Sequence, residues 1–486
     1  MRTRGRRFAS AAVLCALLGV LAAACVPEPP PPSVLQVSVE PALYPAFSAD
    51  VSDYVVRCTD DPVQVTIDTA DGTSVAVAGQ PPQTGHFVAS VTRSTGQSFT
   101  IVDQPATASE HTFHVRCLPL DFFGWTASRT GETQAEYYLM TPYVGPFSYA
   151  AIYDHNGVPI WWAPPTDTIF AKLFANGDVA WTKMDGTAGE ERTLGGTLVT
   201  AIESDDGVPE LHDILRLDNG NYVIVVNQTI PGVDFSAWGA DAPADGTAPL
   251  ANQILQEVKP DGEVVWEWNV HDHIPVSETD PQWYWSAQQP NPGIPVGDVD
   301  AYHWNSVDPT PTGYLLSFRH LDAVIHVNRA TGEIDWKLGG TPVPGKSLDV
   351  IGDPVFDVGS HFGGQHDARL LPDGTVTVYD NGSNLGRTGR AVRYQVSFFG
   401  TATMLEQRTD PNVALSLWGG SARRLSGGNW VIAFGGTDTV AEYDGNGNRV
   451  FEWKTSAGLY RAVPVEPGVL SREALRAGMD AQYPVP

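Results

Sequence analysis

Three histidines stand at one offset from a turn glycine: His212 eight residues before Gly220, His366 eight before Gly374, and His303 ten before Gly313 in a slightly longer unit. Each glycine closes a turn between two strand-like runs, so the imidazoles share one place in a repeat. When such units assemble around an axis, equivalent positions near the start of the inner strands converge. The matching places in two further units are Ile169 and Gly420, so the packing of a unit does not itself demand histidine. Converging imidazoles would fit a three-histidine zinc site as well as a pocket for a charged group. Arg319, which follows the run GYLLSF, bears on the choice. A guanidinium repels a dication and attracts an oxyanion, so His212, His303, His366 and Arg319 point to a sulfate- or phosphate-like group and away from a metal. Strand alternation then sends Arg319 and His320 to opposite faces. It also turns Asp213 and Asp367, each directly after a histidine, away from the axis as parts of the hairpin.

The elements that position these residues are legible as two alternating hairpins. One is an apolar run, a glycine turn and a second strand, as in IFAKLFANGDVAWT, HDILRLDNGNYVIVV, HDARLLPDGTVTVY and GSARRLSGGNWVIAF; the other ends in Trp, as in EVKPDGEVVWEW and AEYDGNGNRVFEW. Two hairpins make a four-stranded sheet. Five or more repeats, with helix confined to about 469–478, predict an all-β chain whose residues 120–486 form a six-bladed β-propeller. Its closing blade would combine residues near 120–150 with the C-terminal part. Gly220 and Gly313 lie 93 residues apart, which leaves room for an insertion or a cryptic blade. That stretch contains QWYWSAQQPNPG, whose Trp283, Tyr284 and Trp285 suit either an aryl-binding mouth or the packing of the loop; Trp283 and Trp285 are taken as substrate-binding candidates. His271, His273 and His361 are secondary candidates.

Residues 34–119 have another grammar, with Thr/Val alternation and Gly/Pro/Asp turns that read as a small β-sandwich. Cys58 and Cys117 end the matching phrases YVVRC and FHVRC. In an oxidising compartment they are expected to form a disulfide. The segment LYPAFSADVSDYVV resembles cadherin-like modules of bacterial surface proteins. Residues 1–25 combine a basic start, an apolar run and Ala-Ala-Ala-Cys, which describes an export signal with Cys25 as a lipidation site. Residues 26–33 follow as a Pro-rich spacer. The chain is therefore expected outside the cytoplasm, lipid-anchored at the outer face of the bacterial cytoplasmic membrane or secreted. Its net charge of −27 becomes −31 without the four arginines of the first seven residues, 25 basic against 56 acidic. Nucleic acid is excluded as a partner by that field, and an anionic substrate requires a local cationic pocket.

HWNSVDPTPTGYLLSFRHLDAVIHVNRATGEIDWKLGG together with FGGQHDARLLPDGTVTVYDNGSN closely resembles the bacterial arylsulfotransferases, over about residues 120–455. The resemblance implies a six-bladed propeller and a ping-pong transfer of a sulfuryl group from a phenolic sulfate to a phenol, with no cofactor. It implies that His366 of the QHD motif is the nucleophile, that His212, His303 and Arg319 hold and polarise the sulfuryl group, and that Asn305 lies close by. Well-studied members carry an active-site disulfide in this domain, whereas no cysteine follows Cys117 here. Two other classes remain open on sequence: a non-catalytic surface propeller that binds an anionic or sulfated ligand, and a sulfate-ester hydrolase.

Overall fold

A computed structural model describes residues 35–106, 109–143, 148–164, 166–184, 189–397 and 399–485. The export segment, Cys25 and the spacer lie outside the described residues. The chain is all-β, and among the described residues no helix is long and apolar enough to cross a membrane.

Alternation builds the N-terminal part as expected. In Val63–Asp68, Val63, Val65 and Ile67 are buried while Gln64 and Thr66 are partly exposed. A three-stranded sheet (Gln36–Glu40, Val63–Asp68, His86–Val91) faces a four-stranded one (Asp53–Arg57, His111–Leu118, Ser98–Pro105, Thr73–Val77) over a single apolar core. The Cys58–Cys117 disulfide is present, with Cα atoms 5.2 Å apart, and joins neighbouring strands of the second sheet.

Among the described residues six further sheets follow, each built on four antiparallel strands with occasional additions. The fourth is the simplest: Trp304–Pro309, Gly313–Phe318, Ala323–Asn328 and Ile334–Gly339 pair in order. Neighbouring sheets share cores all the way round. Leu315 of the fourth packs with Val376 of the fifth, Tyr379 of the fifth with Trp430 of the sixth, and Val431 of the sixth with Tyr138 of the first. Trp181 of the second joins that last core, and Ala180 packs with Tyr222 of the third. Val223 and Tyr314 then share a core between third and fourth. The arrangement is propeller-like, and its ends are fastened twice. Strand Gly458–Val465 pairs with Tyr137–Tyr143 as the inner strand of the first sheet, and Trp125–Arg129 pairs with Arg449–Thr455 at the outer edge of the sixth. Tryptophans closing the outer hairpins, Trp162, Trp268 and Trp453, are at most 2 % exposed and fill the seams between sheets. Removing one would cost about 3–5 kcal/mol.

The long interval between Gly220 and Gly313 holds an extended hairpin, Tyr222–Asp234 with Thr247–Val258, and then four short helical turns between Val270 and Ala287. It is an insertion and adds no sheet of its own. The C-terminal helix, Arg472–Gln482, starts later than the expected 469–478, where the Ser471 side chain caps it by accepting from the Ala474 amide. It buries Leu475 and Met479 against the first sheet. Arg472 and Arg476 both grip the buried carboxylate of Asp53, and Asp480 takes Arg116 at 2.8 Å, so the helix ties sandwich to ring.

Candidate active site

The inner strands start irregularly, and the irregularity aims the histidines. Pairing of Trp304–Pro309 with its neighbour slips between Trp304 and Ser306, and that of His366–Leu370 slips between His366 and Arg369. At these bulges His303 and Asp367 take left-handed backbones, φ 50° and 55°, which non-glycine residues adopt only when the surroundings impose it. A cavity of about 300 Å³ results, with His212, His303, Arg319 and His366 in its wall. Ile169, Met184, Leu211, Pro292, Trp418 and Tyr460 supply its apolar side. The sequence-predicted catalytic four thus meet in one place, with Ile169 at the matching offset from the second sheet and Gly419 next to the Gly420 offset from the sixth.

Hydrogen bonds fix which nitrogen of His366 is free. Its Nδ1 faces two acceptors, the Gly364 carbonyl at 2.8 Å and Asn381 Oδ1 at 2.9 Å. Asn381 Nδ2 is spent on Ser416 Oγ and the Gly419 carbonyl, which sets the orientation of the amide. Nδ1 therefore carries the proton and Nε2 the lone pair. Among the described residues only the Gly419 amide donates to Nε2, at 3.2 Å. Gly419 is required there: its φ is +64°, and a Cβ would lie 2.9 Å from the Tyr460 ring. Burial, then Arg319, then His303 and His212 push the His366 pKa far below the usual histidine value, so the ring is neutral.

The two flanking histidines each have a carboxylate on Nδ1. Glu210 binds both the amide and Nδ1 of His212; Asp300 Oδ2 lies 2.5 Å from Nδ1 of His303, and its Oδ1 accepts from the His303 amide. The two rings stand 5.1 Å apart, centroid to centroid. Burial lowers the His303 pKa, with Asp300 opposing and His212 and Arg319 reinforcing. Asp300 is driven up by burial but held well below the usual carboxylate range by His303, His320 and His212. Such pairs are invisible to a repeat alignment; their signal is a carboxylate two or three residues before each histidine.

Arg319 departs from the sequence expectation. The sheet ends at Phe318, and Arg319–Leu321 forms a helical turn closed by Asp322 at φ 46°, so strand alternation does not apply and His320 is not on an opposite face. Arg319 Nη1 lies 2.8 Å from His320 Nε2, and its guanidinium stacks 4.0 Å from the Trp283 ring. Burial lowers the Arg319 pKa to about 10, with Asp300 and Asp322 opposing, so it keeps its charge at neutral pH. Among the described residues Nη2 reaches only the Leu417 carbonyl, at 3.4 Å, and Nε has no partner. Trp283 therefore supports Arg319 from beneath and does not line the cavity, while Trp285 is 74 % exposed and outside it. Asn305 is fully buried behind the site; its Nδ2 donates to the Gln365 carbonyl, and its own carbonyl accepts from Tyr460 and Arg461.

One residue further along the inner strands lies a layer of another kind. Asp213 and Asp367 do turn away from the histidines, but into a buried ionic lattice. Arg369 Nη2 bridges Asp213 at 2.7 Å and Asp367 at 2.8 Å, Arg423 takes Asp367 through Nε and Nη2, and the fully buried Arg461 and the partly buried Lys172 approach at 3.2 Å. With Asp308, every one of the six sheets contributes a charge. Burial raises Asp213, yet Arg369, Lys172 and Arg461 outweigh it and hold the carboxyl well below its ordinary range.

Among the described residues, metal-ligating atoms cluster twice near the site, in Asp300, His303 and His320 and in Asp280, Asp322 and His361. In the first group the ligand atoms are already engaged with one another and with Arg319, which does not suit a dication. His361 sits 3.5 Å from Asp322 and 3.9 Å from Asp280, outside the cavity wall. His271 bonds Tyr302, and His273 stacks on Trp268.

The family model for arylsulfotransferase (ASST) matches residues 175–456. The chain belongs to the arylsulfotransferase family. The matched span holds His212, His303, Arg319 and His366, but stops short of Tyr460 and Arg461 on the closing strand. No curated protein sequence matches the chain. Solved structures with related folds include a protein of unknown function from Bacteroides caccae (TM-score 0.42, 11% identity, 68% of this chain and 99% of that one). A catalytically inactive virginiamycin B lyase from Staphylococcus aureus with quinupristin aligns at TM-score 0.35 and 11% identity, over 67% of this arylsulfotransferase-family chain and 87% of the lyase. Apo AztD from Citrobacter koseri aligns at TM-score 0.33 and 10% identity, over 68% and 98%.

Proposed function

We propose that the protein is an arylsulfotransferase that needs no adenylyl-sulfate cofactor. It moves a sulfuryl group from a phenolic sulfate ester to a phenol by a ping-pong route through a sulfohistidine at His366. The six sheets are read as the blades of a six-bladed β-propeller, residues 120–486, behind a sandwich over 34–119, with the chain exported and lipid-anchored through Cys25. The observation that carries the reading is the neutral His366 whose Nε2 lone pair lies in the same 300 Å³ cavity as an Arg319 with unspent donors.

In the first half-reaction Nε2 attacks sulfur, the bond from sulfur to the aryl oxygen breaks, and the phenolate leaves with the bonding pair. In its imidazolium form, which the carboxylate on Nδ1 supports, His212 or His303 gives that oxygen its Nε2 proton and is left neutral. In the second, the same ring takes the proton of an incoming phenol, whose oxygen attacks sulfur and releases neutral His366. Sulfuryl transfer resembles phosphoryl transfer in its loose in-line transition state, so charge placed on the equatorial oxygens matters most. Arg319 supplies that charge, and the Gly419 amide becomes an oxyanion donor once Nε2 is engaged. A sulfate monoester carries a single charge, so one guanidinium balances it. Tyr460 and Trp418 flank the aryl group, whereas Trp285 is withdrawn from that role by its exposure.

The test is release of 4-nitrophenolate from 4-nitrophenyl sulfate with and without added phenol. Phenol-dependent release with a sulfated phenol as product is the expected result. Phenol-independent release makes the protein a sulfate-ester hydrolase, and no release from any aryl sulfate leaves an anion-binding propeller.

A further inference from the structure

We propose that His320 is a positioning residue for Arg319, a neutral imidazole that accepts from the guanidinium and fixes its plane towards the transferred sulfuryl group. The proposal rests on the reading of Arg319 as the sulfuryl-binding cation. It starts from a forced assignment of protons. His320 Nε2 lies 2.8 Å from Arg319 Nη1, which can only donate, and Nδ1 lies 2.6 Å from the Asp300 carbonyl, which can only accept. A single tautomer satisfies both contacts, with the proton on Nδ1 and the lone pair of Nε2 on the guanidinium. A charged imidazolium would set N–H against N–H. Burial first, then His303 and Arg319, push the His320 pKa well below the usual value, which agrees with that assignment.

The surroundings treat the pair as one unit. Trp283 stacks on both, 4.0 Å from the guanidinium carbon and 5.3 Å from the imidazole centroid, and its Nε1 donates to Asp322 Oδ2 at 3.2 Å. The Arg319 amide donates to the His303 carbonyl and the His320 amide to the Tyr302 carbonyl, so the turn is tied to the segment that carries Asp300 and His303. Asp322 Oδ1 also accepts from the Gly364 amide in the loop before His366. The clamp therefore links Arg319, His303 and the nucleophile loop through His320 and Asp322. Without an acceptor at position 320, Arg319 keeps its charge but loses the bond that defines its plane. The planar fork, as distinct from the charge, is what distinguishes an arginine from a lysine at such a site.

The experiment is a double-variant cycle on the full chain with 4-nitrophenyl sulfate as donor and phenol as acceptor. His320→Leu is expected to lower kcat about 30-fold and also to raise KM, because the plane of Arg319 serves the bound donor and, more strongly, the transition state. His320→Gln, whose amide can accept from Arg319 and donate to the Asp300 carbonyl, should recover most of that loss. In an Arg319→Met background, His320→Leu should add less than about threefold, because the partner it orients is gone. His320→Met serves in place of His320→Leu should the latter not fold. Calorimetric binding of 4-nitrophenyl sulfate to His366→Asn chains reads the clamp without turnover: a second change, His320→Leu, should weaken binding and His320→Gln should not. A wild-type protein that binds but never releases nitrophenolate would overturn the transferase reading while leaving this binding comparison decisive for His320. Multiplicative losses from the two positions, equal damage from Gln and Leu, or a His320→Leu enzyme within threefold of wild type in kcat would each overturn the proposal.

Discussion

His366 and Asp367 are neighbours in the chain and equally buried, yet they belong to layers with opposite bookkeeping of polar groups. In the layer of His366 the ring nitrogens and guanidinium donors facing the cavity are only partly used: Nε2 has one distant amide, and Arg319 Nη2 one distant carbonyl. In the layer of Asp367 each carboxylate is engaged by several cations, Asp367 by Arg369 of its own strand and by Arg423 and Arg461 of other sheets, and Asp213 by Arg369, Arg461 and Lys172. Buried polar atoms left short of partners are costly unless a ligand completes them, whereas paired ones lock the sheets together. The difference separates a layer kept for chemistry from a layer kept for closure of the ring.

Substitution should break the two layers differently. His366→Asn keeps a polar side chain but no nucleophilic lone pair; donor cleavage should fall by more than about a thousandfold while the melting temperature barely moves. Asp367→Asn does the reverse. It leaves Arg369, Arg423 and Arg461 short of a counter-charge, and denaturant unfolding should show a loss of about 3–5 kcal/mol, with activity following the folded fraction. An Asp367→Asn chain of full stability but no activity would merge the two layers. Arg319→Lys keeps a charge in the upper layer and loses the fork, which should raise the barrier by about 2–4 kcal/mol in kcat/KM without changing stability.

The repeat offset made this comparison half legible in advance. Histidines eight residues before a turn glycine do converge, because the offset counts from a structural landmark that every sheet shares. What the offset misses is whatever the regular strand does not carry. Glu210 lies in the break between Val208–Pro209 and Leu215–Arg216, Asp300 in the connection before Trp304–Pro309, and His320 sits in a helical turn where period-two reasoning has no purchase. Trp283 and Trp285 are two apart in one loop, yet one is buried under Arg319 and the other is exposed, since short helical turns replace the extended segment that would have put both at a mouth. Asp213 and Asp367 were legible as pointing away from the cavity, but apart from Arg369, two residues from Asp367 on the same strand, the cations around them come from three further strands that only the closed ring brings near.

The smallest effect concerns the edge of the upper layer. The Asp322 carboxylate, 3.5 Å from His361, raises the His361 pKa to about 9 against an opposing push from burial, and the Phe362 carbonyl and Asp280 add to the rise. A histidine whose folded value lies above its unfolded one stabilises fully below about pH 6.5 and loses that contribution as pH climbs through about 9. His361 is partly exposed, so solvent screening leaves about 1 kcal/mol or less. Between pH 6.5 and 9.5 the wild type should lose that much more stability than His361→Gln, and identical pH profiles would show that the ion pair contributes nothing.

The claim that the unsaturated layer is the reactive one is tested most directly by rapid quench and peptide mass spectrometry after mixing the protein with 4-nitrophenyl sulfate alone. The account predicts a sulfuryl adduct on His366 that vanishes when phenol is added. An adduct on another residue, or sustained turnover by His366→Asn, would contradict it.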